Sequence, residues 1–291
     1  MERIDLEKVR RSRSLRLVGA ELFRLRRRPM LWIMVAIQTG LCALMPMLFY
    51  LIYRTSSSSD KMSPSMRDLV HDRLSFPGTL TSSVASSLVW GLPLLVVLTA
   101  SSFGGEFAWG TLRMLLSRGV GRREYCLTKA AALGVCWIFL FAVGTVSSLL
   151  MGALASTFAH GAGPSAIGPD DLATFGGYFL AGILAGSTYI ALVGLFAVQV
   201  RSTVFAVAAG LGLYFGDRII GGIASGLGYG PMEAIVRAGM NYNISSLIGE
   251  VGKHPNPTPL AIAILVVYSF AALLGAARLL SRHDVTVSGV G

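Results

Sequence analysis

The sequence has few charged residues. Only 14% of its 291 residues are charged and 53% are hydrophobic, whereas about a quarter of an average soluble chain is charged. A soluble globule cannot bury so much apolar surface, so the composition predicts an integral membrane protein. The 34 glycines follow no fixed period, which excludes a fibrous chain. Abundant glycine instead suits helices that approach each other closely in lipid.

Cysteine and histidine are too few and too scattered for a metal site or a disulfide framework. The three cysteines lie in or beside apolar runs without a CxxC pair, and the four histidines stand singly in polar segments. The serines of the second apolar run have no basic residue within that run, and no HExxH pattern occurs. The sequence therefore predicts neither a metal centre nor a catalytic site in this chain.

Lysine is equally scarce, and its surroundings exclude a phosphate-loop nucleotide site. Such a loop reads GxxxxGK[ST], and none of the four lysines has both glycines and the following hydroxyl residue. The chain itself is therefore not expected to hydrolyse ATP. Any coupling to ATP has to come from a partner chain.

Six apolar runs are long enough to cross about 30 Å of hydrocarbon. They cover approximately residues 30–53, 79–103, 126–158, 172–200, 203–222 and 259–280. If the runs alternate in direction, most of the 25 Lys and Arg residues lie on the side that holds both termini, which makes that side cytosolic. The predicted fold is an all-α membrane protein with six transmembrane helices in residues 30–280, an outer segment at 223–258 and a cytosolic tail at 281–291. The basic excess then reflects topology, and no nucleic-acid partner is expected.

Residues 1–29 form a basic region that ends in a predicted amphipathic helix. Between residues 14 and 28 apolar side chains recur every three or four positions. Charged side chains fill the rest of the circumference: Arg16, Glu21, Arg24, Arg26, Arg27 and Arg28. Such a helix is expected to lie in the headgroup plane with its arginines against anionic lipid, and Pro29 then breaks it. The alternative is an unstructured basic tail that serves only topology.

Asp217 and Arg218 form an ionisable pair near the end of the fifth apolar run. Charge inside a membrane is costly, which makes this pair a candidate for gating or for a transport pathway. Because the pair lies close to the outer end of its run, it can equally serve to end the span at the interface. The second interpretation is favoured.

The most distinctive stretch is the cytosolic loop at 104–125, between the second and third runs. It contains an acidic residue, a Gly-Thr pair, two leucines and several basic residues, and a lysine follows as the third run starts. These are Glu106, Gly110, Thr111, Leu115, Leu116, Arg122 and Lys129. In this pattern the sequence resembles the permease subunits of type-2 ATP-binding-cassette (ABC-2) exporters, although Gly119-Val120-Gly121 stands where that family often has a proline.

The resemblance extends over the six runs and the basic region before them. It implies the membrane-spanning permease subunit of an ATP-driven exporter, in which two permease chains form the translocation path, and a bacterial plasma membrane location. It also implies two separate ATPase subunits, which carry the ATP and Mg. The residues that it assigns to contact with the ATPase are Glu106, Gly110, Thr111, Arg113, Leu115, Leu116, Arg118 and Arg122. The alternative is an ATP-independent channel or ion-coupled carrier, which is disfavoured because no carboxylate lies deep in any run.

Overall fold

The computed structural model describes residues 6–56, 70, 73–108, 121–160, 168–226, 233–249 and 256–282. These residues are almost entirely helical, and none of them forms a strand. The helices are α1 (Leu6–Arg26), α2 (Pro29–Ser56), α3 (Phe76–Ala108), α4 (Arg122–His160), α5 (Pro169–Val200), α6 (Thr203–Gly226), α7 (Glu233–Ala238), α8 (Met240–Leu247) and α9 (Thr258–Arg282).

Six of these helices, α2 to α6 and α9, are long and apolar enough to cross a membrane. Each contains one of the six apolar runs, so the predicted all-α fold with six spans and an additional N-terminal helix is confirmed. Several helices extend past the predicted ends of their runs. Glu106 lies in the last turn of α3 and Arg122 begins α4, so the described ends of the predicted 104–125 loop are helical.

α1 begins at Leu6, earlier than the amphipathic pattern indicates, and ends at Arg26. Pro29 is the first residue of α2, a position where proline costs no hydrogen bond because a helix leaves its first N–H groups unpaired. One side of α1 packs against the bundle, where Leu25 is fully buried. The other side is open, with Leu15 66% and Phe23 59% exposed.

The spans form a bundle with α3, α4 and α5 at its centre. α2 packs on α4 and α3, α6 packs on α3 and α5, and α9 packs on α5 and α4. α1 lies against the start of α4, and α8 lies against α9, α6 and α5. Below, the α1 end of the bundle means the end formed by α1, the end of α3 and the start of α4. The opposite end, where α7 and α8 lie, is the α8 end.

Contact between α4 and α5 depends on aromatic rings placed over glycines. A Cβ on Gly186 would lie 2.0 Å from Nε1 of Trp137, and one on Gly182 would lie 2.3 Å from Cζ of Phe141. Trp137 also donates a hydrogen bond of 3.1 Å to the carbonyl of Gly182. Helices in lipid gain no hydrophobic energy from pairing, so close packing and hydrogen bonds of this kind have to hold them together.

Replacing Gly186 with leucine is therefore expected to destabilise the bundle. The new side chain would occupy the position of the Trp137 indole, and overpacking of this kind costs typically about 1–3 kcal/mol. The measurement is the fraction of protein that stays monodisperse after heating in mild detergent. Gly134→Leu in α4 is the control, because a Cβ there meets no atom within 4 Å. Equal heat resistance of the two variants would contradict this account of the α4–α5 contact.

Candidate functional site

The α1 end holds a cluster of buried charges centred on Glu106. This carboxylate is 3% exposed although it lies at the end of an apolar helix. Arg24 of α1 and Tyr125 of α4 both donate hydrogen bonds to it, and the Nζ of Lys129 lies 2.7 Å from its Oε1. One carboxylate thus holds α1, α3 and α4 together. Burial of a charge is tolerated here because each oxygen has partners of opposite charge or a hydroxyl donor.

Lys129 is the second buried charge of the cluster, with 2% of its surface exposed. Besides Glu106, its Nζ lies 3.5 Å from Oε1 of Glu21 and donates to the Tyr125 hydroxyl at 3.3 Å. The ammonium also lies 5.4 Å from the ring centre of Phe103 and 5.2 Å from that of Tyr125, within the range of cation–π attraction. Apolar and aromatic walls and two carboxylates therefore surround this lysine.

α1 contributes the pair that completes the cluster. Arg24 and Glu21 lie three residues apart on one face of the helix, with the Arg24 Nη2 3.0 Å from the Glu21 Oε1. Burial lowers the pKa of Arg24, but the hydrogen bond and the charge of Glu106, together with the charge of Glu21, raise it by more, so the guanidinium stays protonated. Glu21, Arg24, Glu106 and Lys129 carry two charges of each sign, and with Tyr125 they are called the charge cluster below.

Two further contacts extend this junction to α9 and α6. The Nη1 of Arg122 donates a hydrogen bond of 3.1 Å to the carbonyl of Leu280, in the last turn of α9. A basic side chain is favourable there because the C-terminal end of a helix carries partial negative charge. At Gly104 a Cβ would lie 2.7 Å from the Cα of Thr203, so α3 touches the first residue of α6 with its backbone. The α1 end therefore joins α1, α3, α4, α6 and α9.

The structure brings together some of the residues that the sequence analysis singled out. Glu21, Arg24 and Glu106 belong to the charge cluster, and Arg122 lies beside it. Arg16, Arg26 and Arg27 are exposed, and Arg28 is half-buried. The other residues assigned to ATPase contact lie outside the described residues: Gly110, Thr111, Arg113, Leu115, Leu116 and Arg118.

Two members of the charge cluster were not predicted as site residues. Tyr125 gives no sequence signal, since a tyrosine near a span end commonly marks the membrane interface. Lys129 does give one, because it lies inside the third apolar run, and a lysine buried there requires a carboxylate partner. Glu106, at the end of the preceding run, is a nearby candidate for that partner.

Asp217 and Arg218 point to different partners at the α8 end. Asp217 accepts a hydrogen bond from the backbone N–H of Asn241, at the start of α8. A carboxylate in this position satisfies a helix N–H group that has no partner within its own helix. A Cβ on Gly239 would lie 2.3 Å from Oδ1 of Asp217, so this close approach requires glycine. The guanidinium of Arg218 instead lies over the ring of Tyr214, 5.1 Å from its centre.

Buried amides complete the attachment of α7 and α8 to the spans. The side chain of Asn241 donates to the carbonyl of Tyr214 at 2.8 Å. Asn243, which is fully buried, donates to the carbonyls of Arg237 and Gly239, and Asn256 donates to Oδ1 of Asn243 at 2.8 Å. The bonds of Asp217 and Asn241 attach α8 to α6, and those of Asn243 and Asn256 hold α7, α8 and the residues just before α9 together.

One comparison with known proteins identifies a family over most of the chain. Residues 17–217 match the family model of the ABC-2 family transporter proteins. The matched range begins in α1, includes the whole charge cluster and ends at Asp217. None of the curated proteins matches the chain.

Glu106→Gln is expected to destabilise the protein strongly, because it leaves Lys129 buried with only the more distant carboxylate of Glu21. Removing one partner of a buried ion pair typically costs about 3–5 kcal/mol. The free energy of unfolding in a detergent-denaturation titration measures the loss. The control is Glu233→Gln, whose ion pair with Arg237 is exposed and worth about 0–1 kcal/mol. If Glu106→Gln costs no more than this control, the buried pair does not stabilise the fold.

Asp217→Ala is expected to loosen α8 without unfolding the spans. Loss of a capping acceptor costs about 0.5–2 kcal/mol of local stability. Hydrogen exchange of residues 240–248 should become faster, while exchange of the central spans stays unchanged. Asp217→Asn, which keeps one acceptor oxygen, should recover much of the protection. Unchanged exchange at α8 in the alanine variant would show that Asp217 does not hold this helix.

Proposed function

The chain belongs to the ABC-2 family transporter proteins, and from this premise we propose that it is the membrane-spanning permease subunit of an ATP-driven exporter. Two separate ATPase subunits supply the ATP and Mg, and a second permease chain completes the translocation path. In this assembly the α1 end faces the cytosol, as the distribution of Lys and Arg favours. A bacterial plasma membrane is the proposed location.

The observation that carries this proposal is the charge cluster. The segment 109–120 separates α3 from α4, and the cluster lies where both helices meet it. Through Glu106 and Lys129 the ends of α3 and α4 are joined to each other and to α1. A partner that moves this segment therefore displaces three helices at once.

The same geometry suggests how the motion spreads. Arg122 joins α4 to α9, and Gly104 brings α3 against α6. In this proposal the helices joined at the α1 end tilt together as a rigid body between two orientations. Nucleotide binding and hydrolysis in the partner subunits set how much each orientation is populated. Because the side chain of Glu106 is buried, its contribution to coupling passes through Arg24 and Lys129 rather than through direct contact with the ATPase.

α1 is suited to lie at the membrane surface in this arrangement. Arg16, Arg26 and Arg27 are exposed, and so are Leu15 and Phe23. A helix with both kinds of exposed residue places its basic side chains among lipid headgroups and its apolar ones among the first methylenes. Its position is then sensitive both to the bilayer and to the charge cluster.

α6 offers the surface proposed for the second permease chain. Gly210 packs inside the chain, where a Cβ would lie 2.6 Å from Val96. At Gly212 and Gly216, one turn apart, a Cβ would meet nothing within 4 Å. Small residues four positions apart on an open face let a second helix approach closely in lipid.

The direct experiment is purification of the tagged chain from its native membranes in mild detergent. A phosphate-loop ATPase chain should be retained, and the mass of the intact complex should correspond to two permease and two ATPase chains. If the chain alone moves substrate across sealed vesicles without ATPase and ATP, it is a channel or an ion-coupled carrier instead.

Arg24→Ala is expected to uncouple the complex. The substitution removes the contact of α1 with Glu106 while the topology signal of the other basic residues remains. ATP turnover of the reconstituted complex should change by about five-fold or more, the lower range for coupling between sites. Arg26→Ala is the matched control, since that side chain lies two residues away on the same helix and is exposed. Equal turnover of both variants and the unmodified complex would exclude a role for the cluster in coupling.

A further inference from the structure

An apolar groove of about 490 Å³ lies between α5 and α9 toward the α8 end. α5 contributes Gly177, Ala181 and Leu184 to its lining, α9 contributes Thr258 and Ile262, and α8 contributes Leu247. We call this the α5–α9 groove. It is separate from the charge cluster, and none of its lining residues takes part in the hydrogen bonds of Asp217.

The groove is deep because no described side chain of this protein fills the space beside one glycine of α5, Gly177. A Cβ on Gly177 would meet no atom within 4 Å. On the same helix, by contrast, the space beside Gly182 and Gly186 is occupied by Phe141 and Trp137 of this chain. Gly177 and Ala181 lie four residues apart on one face of α5, so the floor of the groove is almost bare backbone.

The groove opens toward the hydrocarbon of the membrane. α5 and α9 are both candidate spans, and the rim residues Leu180 and Ile262 are 67% and 42% exposed. Water gains little in such a site, because it needs two or more polar partners and the deeper lining offers none. The molecules that surround this face of the bundle are lipids, and an acyl chain matches an open apolar lining.

Polar groups are concentrated at one end of the groove. Thr174, Tyr178 and Thr258 line the part nearest α8. Asp170 lies one turn before Thr174 on the same face of α5 and is exposed, and Asp171 follows it. Carboxylates at this position favour an ammonium over a second anion. An amphiphile is thereby oriented, with its headgroup beside Asp170 and its chain along Gly177 and Ala181.

We propose that the α5–α9 groove binds one acyl chain of a glycerophospholipid whose headgroup carries an ammonium, such as phosphatidylethanolamine. The site requires neither ATP nor a partner chain. It occupies the half of the membrane at the α8 end, which is the outer leaflet in the proposed orientation.

The experiment uses the full chain in bilayer nanodiscs that contain phosphatidylethanolamine with a photoreactive diazirine in its acyl chain. After irradiation, intact mass gives the number of adducts and peptide mapping gives their position. Adducts should concentrate on residues 174–184 and 258–262. Adducts spread evenly over all spans would indicate only surrounding lipid and would overturn the proposal.

Gly177→Leu should reduce labelling of these peptides about ten-fold, the loss expected when about two acyl methylenes no longer fit. The matched control is Gly176→Leu, which has the same open space around its Cβ but does not line the groove. Ile262→Trp closes the groove from the opposite helix and gives an independent variant. Labelling that survives in Gly177→Leu and in Ile262→Trp would place the lipid elsewhere.

The headgroup is tested by competition. Unlabelled phosphatidylethanolamine should displace the probe better than phosphatidylglycerol does, and Asp170→Asn should reduce this difference. Equal competition by both lipids in the unmodified chain would overturn the assignment of the headgroup. Disulfide capture of a second permease chain at Gly177→Cys would overturn the assignment of a lipid as the occupant.

Discussion

The arrangement of the α1 end depends on one constraint, which is that charges buried where the helices leave the membrane have to be neutralised. Glu106 and Lys129 are both almost completely buried, and each is tolerable only because the other is within 2.7 Å. Arg24 and Glu21 bring α1 into the same arrangement, so the cluster has no net charge. Removing one charged member leaves the buried charges of the others unbalanced, so the four charged side chains and Tyr125 act as a single structural unit. The helices that carry them are thereby held in fixed relation.

Between the two ends the bundle is held by shape rather than by charge. In lipid, helices gain no hydrophobic energy from contact, and packing depends on close approach. Trp137 and Phe141 fill the spaces that Gly186 and Gly182 leave on α5. α2 and α3 are joined in addition by a buried hydrogen bond, which the side-chain amide of Gln38 donates to the hydroxyl of Ser87. These contacts hold the central spans of the bundle together.

The α8 end uses a different chemistry, based on amides and backbone groups. Asp217 binds the start of α8, and the side chains of Asn241, Asn243 and Asn256 donate hydrogen bonds to backbone carbonyls of α6 and of the residues around α8. Single hydrogen bonds are weaker than buried ion pairs, with net values of about 0.5–1.5 kcal/mol. The two ends of the described bundle thus differ in the chemistry that holds them together, with buried charges at the α1 end and amides and backbone groups at the α8 end.

The sequence by itself determined the number and approximate limits of the spans, because crossing hydrocarbon demands a long apolar run whatever the neighbours are. It also determined the helix before Pro29 and, through Glu106 and its loop, the family. It could not decide that Glu106, Lys129 and Arg24 meet, since ion pairing depends on which helices are adjacent and pairs residues far apart in the chain. The same holds for glycine: Gly177, Gly186 and Gly212 are alike in sequence, and only the packing decides which space holds an aromatic ring and which stays open to another molecule.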